Sequence, residues 1–148
     1  MEKILPEKQL QVRVKLIRER YSTKGPIIKS PKDVAKLAHY LETEDREHFL
    51  CIHLDTRNKV LGIETVSIGS LNSSLISPRE VFKAAILSNC CGIICVHNHP
   101  SGDVEESEDD VKITKQLAEA GKMLGIELLD HVIIGHGKHA SLKEKGLI

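Results

Sequence analysis

The sequence predicts an α/β domain with a central sheet flanked by helices, and three observations carry that prediction. Gly92-Ile93-Ile94-Cys95-Val96 is a continuous apolar run, the signature of a strand buried on both faces. Ser30-Pro31 and Ser77-Pro78 each pair a capping hydroxyl with a proline at the first helical position, so each opens a helix. Between those two starts, His48 to Leu54 and Val60 to Ile68 are strand-like segments joined by a short polar turn, Asp55 to Asn58, which predicts a hairpin.

The remaining elements follow in order along the 148 residues. Residues 1–29 form a basic arm carrying Lys8, Arg13, Lys15, Arg18, Arg20, Lys24 and Lys29. Within it Val12, Val14 and Leu16 alternate with charged residues, the period of a half-exposed strand, until Thr23-Lys24-Gly25-Pro26 breaks the pattern. The domain proper spans 30–148. Its first helix runs from Ser30 to about Leu41, and the second from Ser77 to about Ser88. The buried strand from Gly92 then delivers His97 at its C-terminal end, where open α/β sheets place their ligands. After a polar loop, 98–106, Ser107 caps a long helix that Gly125 ends near Leu124. Strands near 126–129 and 131–134 and a short final helix from Ser141 complete the chain. It contains no internal repeats and no low-complexity tract.

Composition narrows the function. Lysine plus arginine equals aspartate plus glutamate, and the formal net charge is zero, without the basic excess of proteins that hold nucleic acid electrostatically. Aromatic residues make up 3% with no tryptophan, which leaves little to stack on single-stranded bases. No apolar run reaches the roughly 18 residues that span a bilayer, and the N-terminus lacks a secretory pattern. Cys51, Cys90, Cys91 and Cys95 sit in or beside apolar segments, unlike a disulfide framework, so a cytoplasmic chain with free thiols is expected.

The chemistry concentrates in His97-Asn98-His99-Pro100-Ser101-Gly102, followed by Ser107 and Asp110. Two histidines one residue apart at a strand end can point at one ion. Two imidazoles and a carboxylate are the ligands of a catalytic zinc, with the fourth position left to water. Six acidic residues crowd 103–110, and acids favour a helix N-terminus in any case. Asp110 differs from its neighbours because it shares a helical face with Ser107, Val111, Thr114, Leu117 and Gly121. Asp109 and Glu108 are rotated from it by about 100° and 200°.

Other zinc patterns fail. Cys91, Cys95, His97 and His99 share one strand parity but span roughly 26 Å, too far to meet at one ion. The chain has no His-Glu-x-x-His helix, and it lacks the His-x-Glu and Pro-Cys-x-x-Cys of cytidine deaminases.

Residues 30–148 resemble the JAMM (MPN) metalloprotease family, in particular its RadC-like branch. The family motif is an upstream Glu, then His-x-His, seven residues, Ser, two residues and Asp, and His97, His99, Ser107 and Asp110 meet it without a departure in spacing. The surrounding text is similar too: Glu47-His48-Phe49, Leu54-Asp55-Thr56, Ser77-Pro78-Arg79-Glu80 and Asp130-His131-Val132-Ile133. The resemblance implies a three-layer fold with a mixed sheet, of cytidine-deaminase-like architecture. It implies one Zn²⁺ per chain held by His97, His99 and Asp110, with Ser107 bonding the oxyanion. Glu47 matches the family's catalytic Glu by its place before Phe49, with Glu42, Glu44 and Glu64 as rivals. The implied activity is metallopeptidase or isopeptidase-type amide hydrolysis of a peptide or protein substrate.

RadC-like proteins are also associated with DNA repair, so the alternative is a DNA-transaction accessory without peptidase activity. Longer members carry an N-terminal helix-hairpin-helix region, and residues 1–29 show no such hairpin. Direct nucleic-acid binding is therefore expected to be weak or absent. Among the other histidines, His53 reads as a strand residue, and His136 and His139 as surface loop residues. His131 reads either as a buried, satisfied histidine or as a group behind the ligands. Asn98, Pro100, Ser101 and Gly102 are expected to shape the metal loop.

Overall fold

The computed structural model describes residues 11–19, 25–69 and 76–148. In chain order the elements are α1 (Pro31–Leu37), a 3-10 turn (His39–Thr43), β1 (His48–Leu54), β2 (Val60–Ile68), α2 (Pro78–Leu87), β3 (Gly92–Asn98), α3 (Glu108–Leu124), β4 (Glu127–Ile134) and β5 (His139–Ser141). The strands form one mixed sheet in the order β2-β1-β3-β4-β5, in which only β3 and β4 are parallel. The α/β class and the mixed sheet are as expected. No helix among the described residues is long and apolar enough to cross a membrane.

Two cores fill the two faces of the sheet. On one, Phe49, Cys51, Ile93 and Cys95 pack against Val81 and Phe82 of α2 and Ile113 and Leu117 of α3. On the other, Leu50, Ile52, Ile94, Val96, Val132 and Ile134 pack against Val34 and Leu41. Alternating residues of β1 and β3 therefore face different layers, and β3 is buried along its whole length. That is why its sequence reads as an unbroken apolar run rather than an alternation.

Several boundaries differ from expectation, each for a local reason. The first α-helix ends at Leu37, and a tighter turn, with Leu41 N–H donating to Ala38 O at 3.0 Å, carries Leu41 into the core. Ser77 stands at the N-cap of α2 without a side-chain cap bond. The two strands expected at 126–129 and 131–134 are one strand. Its register shifts where Ile93 pairs with Leu128 but Ile94 with Asp130, so an extra residue interrupts the alternation without breaking the strand. Ser141 ends β5 rather than opening a helix: a single turn follows, with Lys145 N–H on Ser141 O at 3.2 Å, and Gly146 at φ 76° closes it. On α3, Ile113 is buried where Val111 is only partly so.

The strand expected at Val12–Leu16 is not formed. Residues 11–19 have no regular structure, and Val12, Val14 and Ile17 are exposed. By contrast Ile28 is buried, and residues 26–28 bond to the hairpin turn through Ile28 N–H to Asn58 O and Val60 N–H to Pro26 O, both 2.9 Å. The expected break at 23–24 lies outside the described residues. All four cysteines are free thiols, with Cys51, Cys90 and Cys95 buried and Cys91 exposed.

Candidate metal centre

The C-terminal end of β3 meets the N-terminus of α3, and their junction brings together the residues the motif singles out. His97 is the penultimate residue of β3, and His99 follows Asn98 just beyond it. The chain then turns at Gly102, whose φ of 86° is in the left-handed region. A Cβ there would lie 2.4 Å from the His136 ring, so the turn also needs glycine for space. The loop returns to Ser107, the N-cap of α3. Ser107 Oγ accepts from Asp110 N–H at 3.0 Å, and Asp110 Oδ2 accepts from Ser107 N–H at 2.8 Å. This reciprocal capping box fixes the Asp110 side chain toward the sheet, buried, with His97 and His99 before it.

His97 Nε2, His99 Nε2 and an Asp110 oxygen lie within 4.8 Å of one another, a grouping that could hold a metal ion. The contacts are tighter still. The two ring nitrogens are 3.0 Å apart, His97 Nε2 is 3.0 Å from Asp110 Oδ1, and His99 Nε2 is 3.2 Å from Asp110 Oδ2. Ligands on a tetrahedral zinc with bonds of about 2.0 Å stand about 3.3 Å apart, so this spacing suits such an ion. The donor chemistry agrees. His99 Nδ1 faces Asp103 O at 2.8 Å, a carbonyl that can only accept, so the ring hydrogen belongs there and Nε2 turns a lone pair inward. Lone pairs and a carboxylate converging in a largely buried space require a cation or a proton between them.

The electrostatics express the same demand. Burial pushes the Asp110 carboxyl upward, but the His97 and His99 rings and the Ser107 N–H overcome it and hold the group well below the usual carboxylate range. The bond to Asp110 raises the pKa of His99 against the opposing effect of burial.

Behind the His97–His99–Asp110 group lies a further layer of contacts. His97 Nδ1 is 2.7 Å from His131 Nε2, and His131 Nδ1 is 2.6 Å from Thr114 Oγ1. Thr114 Oγ1 in turn donates to Asp110 O at 2.7 Å. Phe49 stacks on His97 with centroids 6.2 Å apart and meets His131 edge-on at 5.5 Å. Burial pushes the pKa of His131 well below the ordinary histidine value.

Glu47 stands at the same end of the sheet. The β1–β3 ladder ends where Phe49 pairs with His97, so Glu47, two residues before that end, and His99, two residues beyond it, leave the sheet at the same edge. The charge of Glu47 contributes to the raised pKa of His99. Glu47 O accepts from Gly69 N–H at 2.8 Å, and Asp45, Arg46, Glu47, Gly69 and Pro100 line an open cleft of about 470 Å³. Asn98 anchors this segment, taking His48 N–H on Oδ1 at 2.7 Å and donating from Nδ2 to Arg46 O at 3.1 Å. The amide thus brackets Glu47 by its backbone. The rivals lie elsewhere: Glu42 pairs with His39 at 3.3 Å, and Glu44 is 3.9 Å from His48 Nε2. Glu64 pairs across the sheet with Cys51, and burial and then the charge of Glu80 raise its pKa.

Three residues at this centre escape the motif reading. Thr114 is an ordinary apolar-face residue in the sequence, Asn98 a loop-former, and His131 one of two open readings. No local spacing ties His131 to this group, because it reaches His97 from the neighbouring strand, 34 positions away. Of the other histidines, His53 is buried in β1, while His136 and His139 are exposed.

A family model described as the RadC-like JAB domain matches residues 28–147. Similar proteins include a UPF0758 protein of Desulfitobacterium hafniense, 52% identical over 124 residues, covering 83% of this chain and 55% of that protein. A UPF0758 protein of Desulforamulus reducens is 50% identical over 149 residues, covering 97% of this chain and 66% of its own length. One from Methanosarcina mazei is 49% identical over 122 residues, covering 82% and 53%. The chain spans little more than half the length of most of these relatives. A family match over nearly the whole described domain, with relatives near half identity, establishes that the chain belongs to the RadC-like JAB-domain family.

Proposed function

We propose that this domain is a zinc-dependent hydrolase that cleaves amide or isopeptide bonds in peptide or protein substrates. The observation that carries the reading is the convergence of His97 Nε2, His99 Nε2 and the Asp110 carboxylate at one largely buried point, with Pro100, the residue after His99, lining an open cleft together with Glu47. When bound there, zinc would supply Lewis-acid polarisation and acidify a water. His97, His99 and Asp110 would hold it. Glu47, just before β1 and near enough for its charge to act on His99, takes the proton of the attacking water and returns it to the leaving amine. Ser107 accepts from Asp110 N–H through its oxygen and directs its own hydrogen to the developing oxyanion. The cleft lined by Glu47 and Pro100 receives the substrate chain.

The test is to measure zinc content in the purified chain and to screen it, zinc-loaded, against peptide and isopeptide libraries. About one zinc per chain, with cleavage lost in Glu47→Gln but zinc retained, is the expected result. A chain that takes up zinc and cleaves no amide in either library overturns the hydrolase reading.

A further inference from the structure

We infer that Thr114 and His131 are positioning residues that hold His97 in the tautomer whose Nε2 offers a lone pair to the ion. The inference rests on the metal-site reading above.

Hydrogen counting carries it. Three contacts run in series from Asp110 O through Thr114 Oγ1 and His131 to His97 Nδ1, at 2.7, 2.6 and 2.7 Å. Each needs one hydrogen. The Asp110 carbonyl brings none, so Thr114 supplies the first. With its hydrogen spent, Thr114 Oγ1 can only accept from His131, and His131 Nδ1 supplies the second. A neutral imidazole has one N–H, so His131 Nε2 is left as an acceptor and His97 Nδ1 supplies the third. The only ring nitrogen of His97 then without hydrogen is Nε2, which faces His99 and Asp110. In the reversed direction Thr114 would abandon the Asp110 carbonyl and His97 Nε2 would aim a hydrogen into the ligand cluster.

Burial makes the direction binding. Thr114, His131 and His97 are each at most 1% exposed, so water is excluded as a substitute partner. Phe49 packs against both rings and prevents them from turning away. The arrangement also closes a loop: Asp110 touches His97 through its carboxylate on one side and through its own carbonyl, Thr114 and His131 on the other. His99 has a simpler backing, the Asp103 carbonyl, which achieves the same tautomer in one step. A ligating histidine backed by another histidine needs a third group to set the direction. Thr114 is that group.

The experiment reads ring protonation directly. Long-range ¹H–¹⁵N spectra of labelled protein, recorded before and after zinc, should show His131 protonated at Nδ1 in both states. With zinc, His97 should carry hydrogen at Nδ1 and metal at Nε2. In chelator competition, Thr114→Val should bind zinc roughly tenfold to hundredfold more weakly, as for loss of a group supporting a metal ligand. Thr114→Ser should restore affinity. Valine keeps the shape of threonine, so a side chain needed only for packing would give wild-type affinity in Thr114→Val and overturn the inference. Hydrogen on His131 Nε2 in a zinc-binding wild type would overturn it alone, and that spectrum decides even if the valine variant does not fold. A wild-type chain that takes up no zinc would instead overturn the metal reading, and this inference with it.

Discussion

Along β3, Ile94 and Val96 face α1 while Ile93, Cys95 and His97 face α2 and α3, and both rows are buried. The first row continues into Val132 and Ile134 with no polar atom to satisfy. The second runs from Cys95 into His97, His131 and Thr114, where every ring nitrogen has a partner within hydrogen-bond distance. Depth alone therefore does not distinguish scaffold from site. What distinguishes them is the N-terminus of α3, which arrives on one face only and brings the Ser107–Asp110 capping box to the strand end. An apolar row is satisfied by contact, whereas a polar row at the same depth needs each donor matched. The α1 face can thus be read from a few residues, while the α3 face depends on all of them.

Removing one residue from each face should separate the two roles. His97→Ala should reduce bound zinc from about one per chain to near zero, the largest change expected anywhere in the molecule. Val96→Ala, its neighbour on the opposite face, should cost on the order of 2 kcal/mol of stability by opening a cavity, yet leave zinc per folded molecule unchanged. Elemental analysis beside denaturant melts would check both. Equal loss of zinc in Val96→Ala would show that the faces cannot be uncoupled.

Within the chemical face, binding and turnover should come apart next. Glu47→Gln should retain zinc and lower amide hydrolysis about 10²- to 10⁴-fold, the range ascribed to a general base. Asn98→Leu should have a smaller effect of the same kind. It strips the bonds to His48 N–H and Arg46 O that bracket Glu47, while leaving both flanking histidines in place. Zinc affinity near wild type with a kcat lowered about tenfold, from a less well oriented base, is the expected pattern. A Asn98→Leu variant with unchanged kcat would show that Glu47 does not depend on the clamp.

These two variants mark where the sequence is legible. His97, His99 and Asp110 are readable because ligand spacing and helical phase are local: one residue between the histidines, and one face shared by Ser107 and Asp110. The buried strand, the hairpin and the long third helix are readable for the same reason. Asn98 acts across 50 positions and His131 across 34, so no local period marks either. The interruption in β4 looks like a strand end at Asp130 because a bulge and a turn disturb alternation alike. In the arm, Val12, Val14 and Leu16 have the right period, but period alone supplies no partner strand, and residues 11–19 remain without regular structure.

A finer comparison sets Asp110 against Asp109 on the same helix turn. Asp110 is buried at the ligands, while Asp109 is only partly buried, and the two differ by one helical step. Asp109→Ala should leave zinc stoichiometry intact and change stability by no more than about 0.5 kcal/mol through lost interaction with the helix dipole. Loss of zinc in this variant, measured beside Asp110→Ala, would mean that the helical phase brings the wrong carboxylate to the ion.

A comparably small effect, confined to stability, is expected where the two faces are tied together at the rim. Lys145, in the turn after β5, reaches Glu106 in the loop leading to α3, with Nζ 2.5 Å from Oε2. The pair couples the C-terminal turn, which packs on the α1 side through β5, to the loop between His99 and Ser107. Lys145 draws the pKa of Glu106 down, and Glu106 draws that of Lys145 up. For a carboxylate with a depressed pKa, the stabilisation is present above its ordinary value of 4.5 and lost as pH falls through the lower folded value. For the amine, it is present below 10.5 and lost as pH rises through the higher folded value. Both side chains are partly exposed, so solvent screening limits the pair to about 1 kcal/mol or less. Lys145→Ala should therefore be slightly less stable than wild type at neutral pH, and the two melting curves should converge in acid and in high salt. Zinc content should not change. A difference that persists undiminished at acid pH would show that Lys145 supports the loop through its apolar stem rather than through its charge.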